Sequence, residues 1–514
     1  MNLSVRHWVF WPPILLIGLS LIYSLWNYRN FIAVTDGLAQ WLLGNFGWLF
    51  NLTGFAMLIL VGAVFLSPLG SVKIGGNEAQ PILTKWRWFS ITLCTTIASG
   101  ILFWGAAEPL YHLTAPPKSL GITANSPEAA TFAMSSLFMH WTFTPYAIYT
   151  IPALGFALGF YNRKLPFSIS TAIAPLFGRE LSPTSQNLVD SISLFTLVAG
   201  MAASLGTGIL TICGGIDNIV GWGVSPTLIV SVGVAIVTTF IVSASSGLMK
   251  GIRLLSDMNT RIFFCLAFFV LMCGPTQYLL NFGSEALGSY FGTFIERSFF
   301  TGASTGDNWP KDWTMFYLAI WFAWAPITAL FLGRISVGHS VRQFICVNFF
   351  GPACFSIVWM SIFGGTSLKF AMEGLGLVEV LQQGGPESVV YAMFDHLPLS
   401  AVITPIFLFT AFVSYVTAAD SNTEVMAGLS STGISPSSPS PSAILKFLWG
   451  MIIGSTAITM ILHAGVDGVK MLCTIGGFPA MFLIILMGAS MVRSILESFE
   501  VDPIPVMRQP GLKG

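Results

Sequence analysis

Long apolar runs constrain the fold of this chain more than any other feature of its sequence. The 514 residues are 54% hydrophobic and only 9% charged. About twelve runs reach the roughly 20 residues that cross a bilayer as a helix. They lie near 8–27, 45–67, 87–111, 129–160, 187–212, 225–247, 258–281, 313–333, 342–366, 398–425, 444–463 and 470–494. Backbone polar groups in lipid must be paired within the segment, so the sequence predicts an all-α integral membrane protein.

The positions of lysine and arginine predict how these helices are oriented. Cytoplasmic loops of membrane proteins carry an excess of these two residues. With the N-terminus inside, sixteen of the 22 basic residues fall on the cytoplasmic side. The first run lacks the small-residue cleavage site of a secretion signal, so we treat it as a retained span. We therefore expect both termini in the cytoplasm.

Small and polar residues interrupt several of the predicted spans. Such clusters occupy 95–100 in the third span, 199–208 in the fifth and 416–422 in the tenth. In a membrane helix they indicate either close helix packing or a locally unwound backbone that faces a ligand near the midplane. For the third span we favour unwinding, because the cluster lies in mid-span directly before Phe103 and Trp104. For the fifth span both interpretations stay open.

Aromatic residues crowd the apolar segment 312–326, which ends in Pro326. Trp321 and Trp324 are three positions apart, so on a helix they share one face and form one wall of a pocket. Ring faces attract a cation that has no N–H group to donate. A lone buried carboxylate would be costly to keep at this depth. The pattern therefore favours an aromatic pocket for a methylated onium group.

Six segments, in order along the chain, resemble the betaine/carnitine/choline transporter (BCCT) family. They are FWGAAEPL at 103–110, HWTFTPYAIY at 140–149, KGIRLLSDMN at 250–259, the segment at 312–326, GRIS at 333–336 and TAADS at 417–421. Each segment alone is weakly specific. Together they extend the resemblance over nearly the whole chain.

The resemblance implies a particular architecture within one transmembrane domain, 1–514. Two peripheral spans at 1–70 precede two inverted five-helix repeats at 86–282 and 311–495, the LeuT-like fold. Apolar and charged residues at 283–300 predict an amphipathic helix on the outer surface, and 496–514 form a short cytoplasmic tail. The resemblance also implies a homotrimer in a bacterial inner (plasma) membrane.

The same resemblance implies a secondary transporter of quaternary ammonium compounds such as glycine betaine, carnitine or choline. Its aromatic cage would hold the trimethylammonium head, and the matching positions here are Trp141, Tyr146, Tyr149, Trp321 and Trp324. Position 146 is tryptophan in better-known betaine members, so the tyrosine alters that wall. Backbone N–H groups around Ile97 to Gly100, together with Ser99, are expected to receive the substrate's carboxylate or hydroxyl end.

The ion-coupling positions depart from the family pattern. Sodium-coupled members carry a glycine-rich third span, where this chain has Ile97, and a Thr-Ser pair in the tenth span, where it has Thr417 and Ala418. The missing hydroxyl removes one hard oxygen ligand, which puts Na+ coupling in doubt. Coupling to Na+, coupling to H+ and exchange all stay open. Arg261 could replace the cation with a fixed charge, or reach the membrane surface as interfacial arginines do. Asp420 is either a proton site or a paired structural residue.

Other functions are less consistent with the sequence. The same fold could carry a sulfonium zwitterion or another small zwitterion, and only competition experiments would separate these substrates. The six histidines show no ligand spacing on one helix and the seven cysteines no metal-binding pattern, so we expect no enzyme, metal or cofactor. A zero net charge without basic tracts gives no indication of nucleic acid. No filter-like repeat indicates a channel.

Overall fold

The structure, a computed structural model, describes residues 4–96, 98–245, 249–434 and 441–499. Within these ranges it leaves out the side chains of 98–99, 244–245 and 249–253. The described residues form α-helices and short 3-10 and π-helical segments, with no β-strand among them. This agrees with the predicted all-α class.

The helices of the first part of the chain are named here in chain order. They are α1 (His7–Trp26), α2 (Tyr28–Leu66), α3 (Lys85–Thr96), α4 (Ala98–Thr114), α5 (Pro127–Trp141), α6 (Phe143–Ala157), α7 (Ser170–Phe177), α8 (Pro183–Val220), α9 (Pro226–Ser245), α10 (Met249–Cys273) and α11 (Thr276–Ser298). The remaining helices are α12 (Phe316–Arg334), α13 (Val341–Ile345), α14 (Gly351–Met372), α15 (Leu377–Gly384), α16 (Pro386–Asp395), α17 (Ser400–Leu429) and α18 (Ala443–Glu497).

The number of spans follows from the lengths and breaks of these helices. Within the described residues, ten helices are long and apolar enough to cross a membrane, and the bent pair of α3 and α4 makes eleven. Helix α18 has 55 residues and contains Gly465, whose φ of 54° and ψ of −135° are not helical. A helix rises 1.5 Å per residue, so α18 is far longer than one bilayer crossing and the break at Gly465 divides it into two. The total agrees with the predicted twelve.

The boundary after the seventh span differs from the prediction. Helix α10 ends at Cys273 and α11 begins at Thr276, because Pro275 lacks an N–H group and restricts the residue before it. Residues 276–281 thus belong to α11 instead of the predicted span at 258–281. The guanidinium of Arg297, near the end of α11, is buried over the ring of Phe132, 4.5 Å from its centroid. This contact fixes α11 against α5.

The small residues of the fifth span serve close packing, since α8 is helical throughout 199–208. A Cβ atom at Gly208 would lie 2.5 Å from the ring of Tyr415, and one at Gly206 would lie 2.9 Å from Ile461. Neighbouring helices therefore approach α8 more closely than a side chain would allow. Helix α17 is likewise continuous through 416–422.

Two helix breaks do occur, both close to predicted cage residues. The segments Lys85–Thr96 and Gly100–Thr114 are inclined by 55° to each other, and residue 97 between them lies outside the described residues. Helices α5 and α6 are separated by Thr142, whose φ and ψ are both −119°. The chain thus interrupts two neighbouring spans at similar points.

Helix α12 is held against the second half of α18 by a very close backbone approach at Gly477. A Cβ atom there would lie 2.3 Å from the carbonyl oxygen of Ala319 and 2.8 Å from its Cα atom. Backbone atoms inside a helix cannot move aside as a side chain can. Glycine at 477 therefore fixes the distance between α18 and the helix that carries Trp321 and Trp324.

We expect the substitution Gly477→Ala to lower the free energy of unfolding by about 1–3 kcal/mol, because the added methyl group overpacks the α12–α18 contact. Thermal unfolding of the detergent-solubilised protein, followed by tryptophan fluorescence, measures the change. Gly62→Ala in α2 is the matched control, since a Cβ atom at Gly62 meets nothing within 4 Å. Equal melting temperatures for the two variants would contradict this packing.

Candidate functional site

A cavity between the broken spans collects four of the five predicted cage residues. The space between atoms there is about 450 Å³, which includes space open to solvent. Its walls come from α3, α4, α5, α6, α8, α12 and α18. The lining residues are Thr96, Gly100, Trp104, Trp141, Tyr149, Ala203, Ser204, Thr207, Ile320, Trp321, Trp324, Val469 and Cys473.

Trp321 is the central ring of the cage. Its centroid lies 5.3 Å from that of Trp141 and 5.5 Å from that of Tyr149, with interplanar angles of 83° and 78°. Nearly perpendicular neighbours are a favourable aromatic geometry. They also turn ring faces in different directions, as the sides of a box do. Trp324 adds a further wall, packed against Gly200, where a Cβ atom would lie 3.0 Å from the indole.

The local backbone explains how Trp141 reaches this cavity. It is the last residue of α5, directly before the break at Thr142. Its ring packs on Gly100 of α4, where a Cβ atom would lie 2.3 Å from the indole. Any side chain at position 100 would displace the ring. Gly100, predicted to contact substrate, thus lines the cavity and also makes room for a cage residue.

Tyr146 lies beside the other predicted cage residues but not at the surface of the cavity. It is fully buried, and its ring lies 6.2 Å from Trp321 and 6.5 Å from Tyr149. It is not among the residues that line the cavity. Its hydroxyl is 3.2 Å from that of Ser356. In this structure Tyr146 therefore supports the cage from behind instead of forming a wall.

Polar groups meet the cavity on the side of α3, α4 and α8. The hydroxyls of Thr96 and Thr207 donate to the carbonyls of Thr92 and Ser204, each over 2.8 Å, and still have lone pairs that can accept. Gly100, just after the bend between α3 and α4, also lines the cavity. The N-terminal ends of helices favour anions. The side chain of Ser99 lies outside the described residues.

Two of the predicted ion-coupling residues, Thr417 and Ala418, lie next to each other on α17. Thr417 donates its hydroxyl to the carbonyls of Val413, over 2.8 Å, and Ser414, over 3.1 Å. Ala418 is buried and offers no side-chain oxygen. Neither residue lines the cavity, and Ile97 lies outside the described residues.

Arg261 is not placed where the predicted coupling role requires it. Its side chain is 68% exposed and pairs with Asp257, one helical turn earlier, over 3.0 Å. A charge on the outer face of α10 does not replace a cation beside the substrate. The alternative, an arginine whose charged end reaches the membrane surface, fits this position better. Asp420, the other candidate, accepts a hydrogen bond from Ser243.

Although Glu108 directly precedes Pro109, it does not end its helix. Glu108 is fully buried within α4, six residues before that helix ends. Its Oε2 atom accepts the indole N–H of Trp141 over 2.7 Å. Its Oε1 atom lies 2.6 Å from Nδ1 of His140 and 3.2 Å from Nε2 of His112. A buried carboxylate thus contacts the polar edge of the cage.

Sequence reasoning missed this cluster because it considered histidine spacing on single helices. Glu108 and His112 are four residues apart on α4, a spacing that places both on one face. His140 comes from α5, and only the packing of α4 on α5 brings it in. The side-chain nitrogen and oxygen atoms of the three residues lie within 4.8 Å of one another, so this cluster could also hold a metal ion. His140 is buried and hydrogen-bonded, and its Nε2 lies 3.0 Å from the Thr314 hydroxyl.

Comparison with known proteins gives relatives over the full length of the chain. An ectoine/hydroxyectoine transporter of Virgibacillus pantothenticus is 30% identical and covers 96% of this chain and 97% of its own. The glycine betaine transporter OpuD of Bacillus subtilis is 29% identical, with 98% of each chain covered. The betaine/ectoine transporter LcoP of Corynebacterium glutamicum is 30% identical over 93% of this chain and 75% of its own.

Among solved structures, a Na+-coupled sialic acid symporter in a substrate-bound outward-open state aligns over 85% of this chain and 86% of its own. The TM-score is 0.47 and the identity 15%. The family model described as "BCCT, betaine/carnitine/choline family transporter" matches residues 8–499. This match spans nearly the whole chain and confirms the predicted fold class. It also confirms that the chain is a membrane transporter and not an enzyme. The chain belongs to the betaine/carnitine/choline transporter family.

Proposed function

We propose that the protein is a secondary transporter that moves small methylated onium zwitterions, glycine betaine foremost, by alternating access. One observation carries the proposal: Trp141, Tyr149, Trp321 and Trp324 line one cavity between broken spans. Secondary transporters bind their substrates near the bilayer midplane beside such breaks. The cage receives the onium head there.

Ring faces suit this task energetically. An onium head spreads its charge over methyl groups and offers no N–H to a hydrogen-bond acceptor. Each desolvated ring contact contributes about 0.5–2 kcal/mol. Several such contacts bind the head firmly enough to select it, while each one alone is weak enough to let it leave.

The other end of the substrate is expected near α3, α4 and α8. A carboxylate there would meet the first N–H groups of α4 and the positive end of its helix dipole. Gly100 of α4 and Thr207 of α8 line the same cavity as the rings, which supports this proposal. A zwitterion with a short spacer between its charges fits this arrangement better than a cation alone.

A second candidate is a cyclic zwitterion such as ectoine. It is favoured by the withdrawal of Tyr146 from the cavity lining, since one wall fewer leaves a less tightly enclosing cage. The relative from Virgibacillus pantothenticus is named for ectoine and hydroxyectoine. Competition of unlabelled ectoine and sulfonium zwitterions against labelled glycine betaine separates these substrates.

Energy coupling is proposed to be independent of sodium. Ala418 supplies no hydroxyl beside Thr417, so this pair offers one side-chain oxygen instead of two. A small cation needs several hard oxygen ligands held together. A proton gradient or exchange with internal substrate is therefore the proposed driving force.

The assembly and its orientation also belong to the proposal. The family resemblance implies a homotrimer in the bacterial inner membrane, and the lysine and arginine distribution implies cytoplasmic termini. Cross-linking in membranes tests the first point. Accessibility of tags at the two termini tests the second.

The cage makes a specific prediction for Trp321. Trp321→Leu removes a ring face and should raise the KM for glycine betaine about tenfold or more, whereas Trp321→Phe keeps a face and should lose clearly less. Uptake of labelled substrate into proteoliposomes measures both. Trp48→Leu, at a side chain 56% exposed on α2, is the control and should behave as wild type. Equal KM values for the Leu and Phe variants would contradict a role for the ring face.

A second prediction concerns the driving ion. Initial uptake rates under an inward Na+ gradient and an equal K+ gradient should differ by less than about twofold, because a hard oxygen ligand is missing. The same proteoliposomes, preloaded with unlabelled substrate or given an inward proton gradient, should show faster uptake. Strong stimulation by Na+ alone would contradict sodium independence and leave the cage proposal intact.

A further inference from the structure

A carboxylate stands directly behind the cage, in a place that the binding of an onium head does not by itself explain. Glu108 is fully buried in a membrane span, where an ionisable residue is expensive and marks a functional site. Its Oε2 atom accepts the indole N–H of Trp141 over 2.7 Å. It therefore touches a ring that lines the substrate cavity, from the side opposite the substrate.

Three groups around Glu108 can donate hydrogen bonds to its carboxylate oxygens. An indole N–H can only donate, so Oε2 must accept. Oε1 lies within hydrogen-bond distance of His140 and His112, and each neutral imidazole can donate one N–H to it. Three N–H donors then point at one carboxylate. Carboxylates that accept several such bonds are favoured in the charged form.

Within the described residues, no lysine or arginine forms an ion pair with Glu108. The two histidines are the basic side chains within hydrogen-bond distance of it. Arg297, the nearby guanidinium on α11, donates instead to the hydroxyls of Ser135 and Ser136. With both imidazoles neutral, the cluster of Glu108, His112 and His140 carries one net negative charge behind Trp141.

The cluster also orients the cage. Trp321 donates its indole N–H to the backbone carbonyl of His140 over 3.0 Å. His140 in turn is held between Glu108 and the hydroxyl of Thr314, over 2.6 Å and 3.0 Å. Two cage rings thus have their polar edges fixed by one network, with their faces left to the cavity.

We propose that Glu108 is a positioning residue that supplies the fixed counter-charge for the substrate's onium group. It acts through Trp141, whose ring becomes more negative when its N–H donates to a carboxylate, and through its own charge across the ring in a low-dielectric surrounding. The inference rests on the proposed function, since it presupposes an onium substrate.

A pair of isosteric ligands tests the charge separately from the shape. Glycine betaine and tert-butylacetate share one shape and one carboxylate, and differ in a positively charged nitrogen against a neutral carbon. Their inhibition constants are measured by displacement of labelled glycine betaine from the purified protein. The measurement is made on wild type, Glu108→Gln and Glu128→Gln, the last a carboxylate control at an exposed position on α5.

Removing the charge should change the affinities of the two ligands in opposite directions. We expect Glu108→Gln to weaken glycine betaine about tenfold while tert-butylacetate binds as well or better, because repulsion of its carboxylate falls. Glu108→Asp should restore the preference for glycine betaine, and Glu128→Gln should match wild type. Equal weakening of both ligands by Glu108→Gln would overturn the proposal and show a merely structural role. Failure of wild type to bind any onium ligand would instead overturn the proposed function.

Should Glu108→Gln not assemble, Trp141→Phe gives a second test, because phenylalanine keeps a ring face but has no N–H group to donate to Glu108. We expect this variant to weaken glycine betaine more than tert-butylacetate. Equal weakening of both ligands would overturn the proposal.

Discussion

The site depends on the hydrogen bonds that two of its indole N–H groups donate to acceptors outside the cavity. A polar group left unpaired in the membrane interior costs several kcal/mol, so each cage tryptophan needs an acceptor away from the cavity. Trp141 finds one in Glu108 and Trp321 in the carbonyl of His140. Because both acceptors lie outside the cavity, the ring faces remain for a ligand that itself offers no hydrogen bond.

Backbone breaks then bring these rings together. Trp141 ends α5 at the break before Thr142, and Gly100 follows the bend between α3 and α4. The two breaks face each other, so the ring from one span fills the space that the missing side chain leaves in the other. The close approach of α18 at Gly477 holds the helix of Trp321 at the same depth.

The sequence predicted the spans well, because apolar length depends only on local composition. The position of Trp321 and Trp324 on one wall also follows from local helical spacing. Tertiary packing decided three positions that the sequence could not. Tyr146 contacts Ser356 and does not line the cavity. Arg261 pairs with Asp257 on the exposed face of α10, and Glu108 contacts His140 in the interior. Each outcome depends on a partner distant in the sequence or on the face a helix presents. Periodicity shows which residues share a face but not where that face points.

Glu108 also bears on how a carrier for zwitterions avoids binding them too tightly. A carboxylate in direct contact with the onium head would bind many amines and would have to be desolvated with each release. Placed behind the indole, the same charge acts over a longer distance and keeps its own hydrogen bonds whether or not substrate is present. Three N–H donors then offset the free energy of burying the charge, and they do so once, when the protein folds. Selectivity for a methylated head comes from the ring faces, and its attraction from the charge behind them.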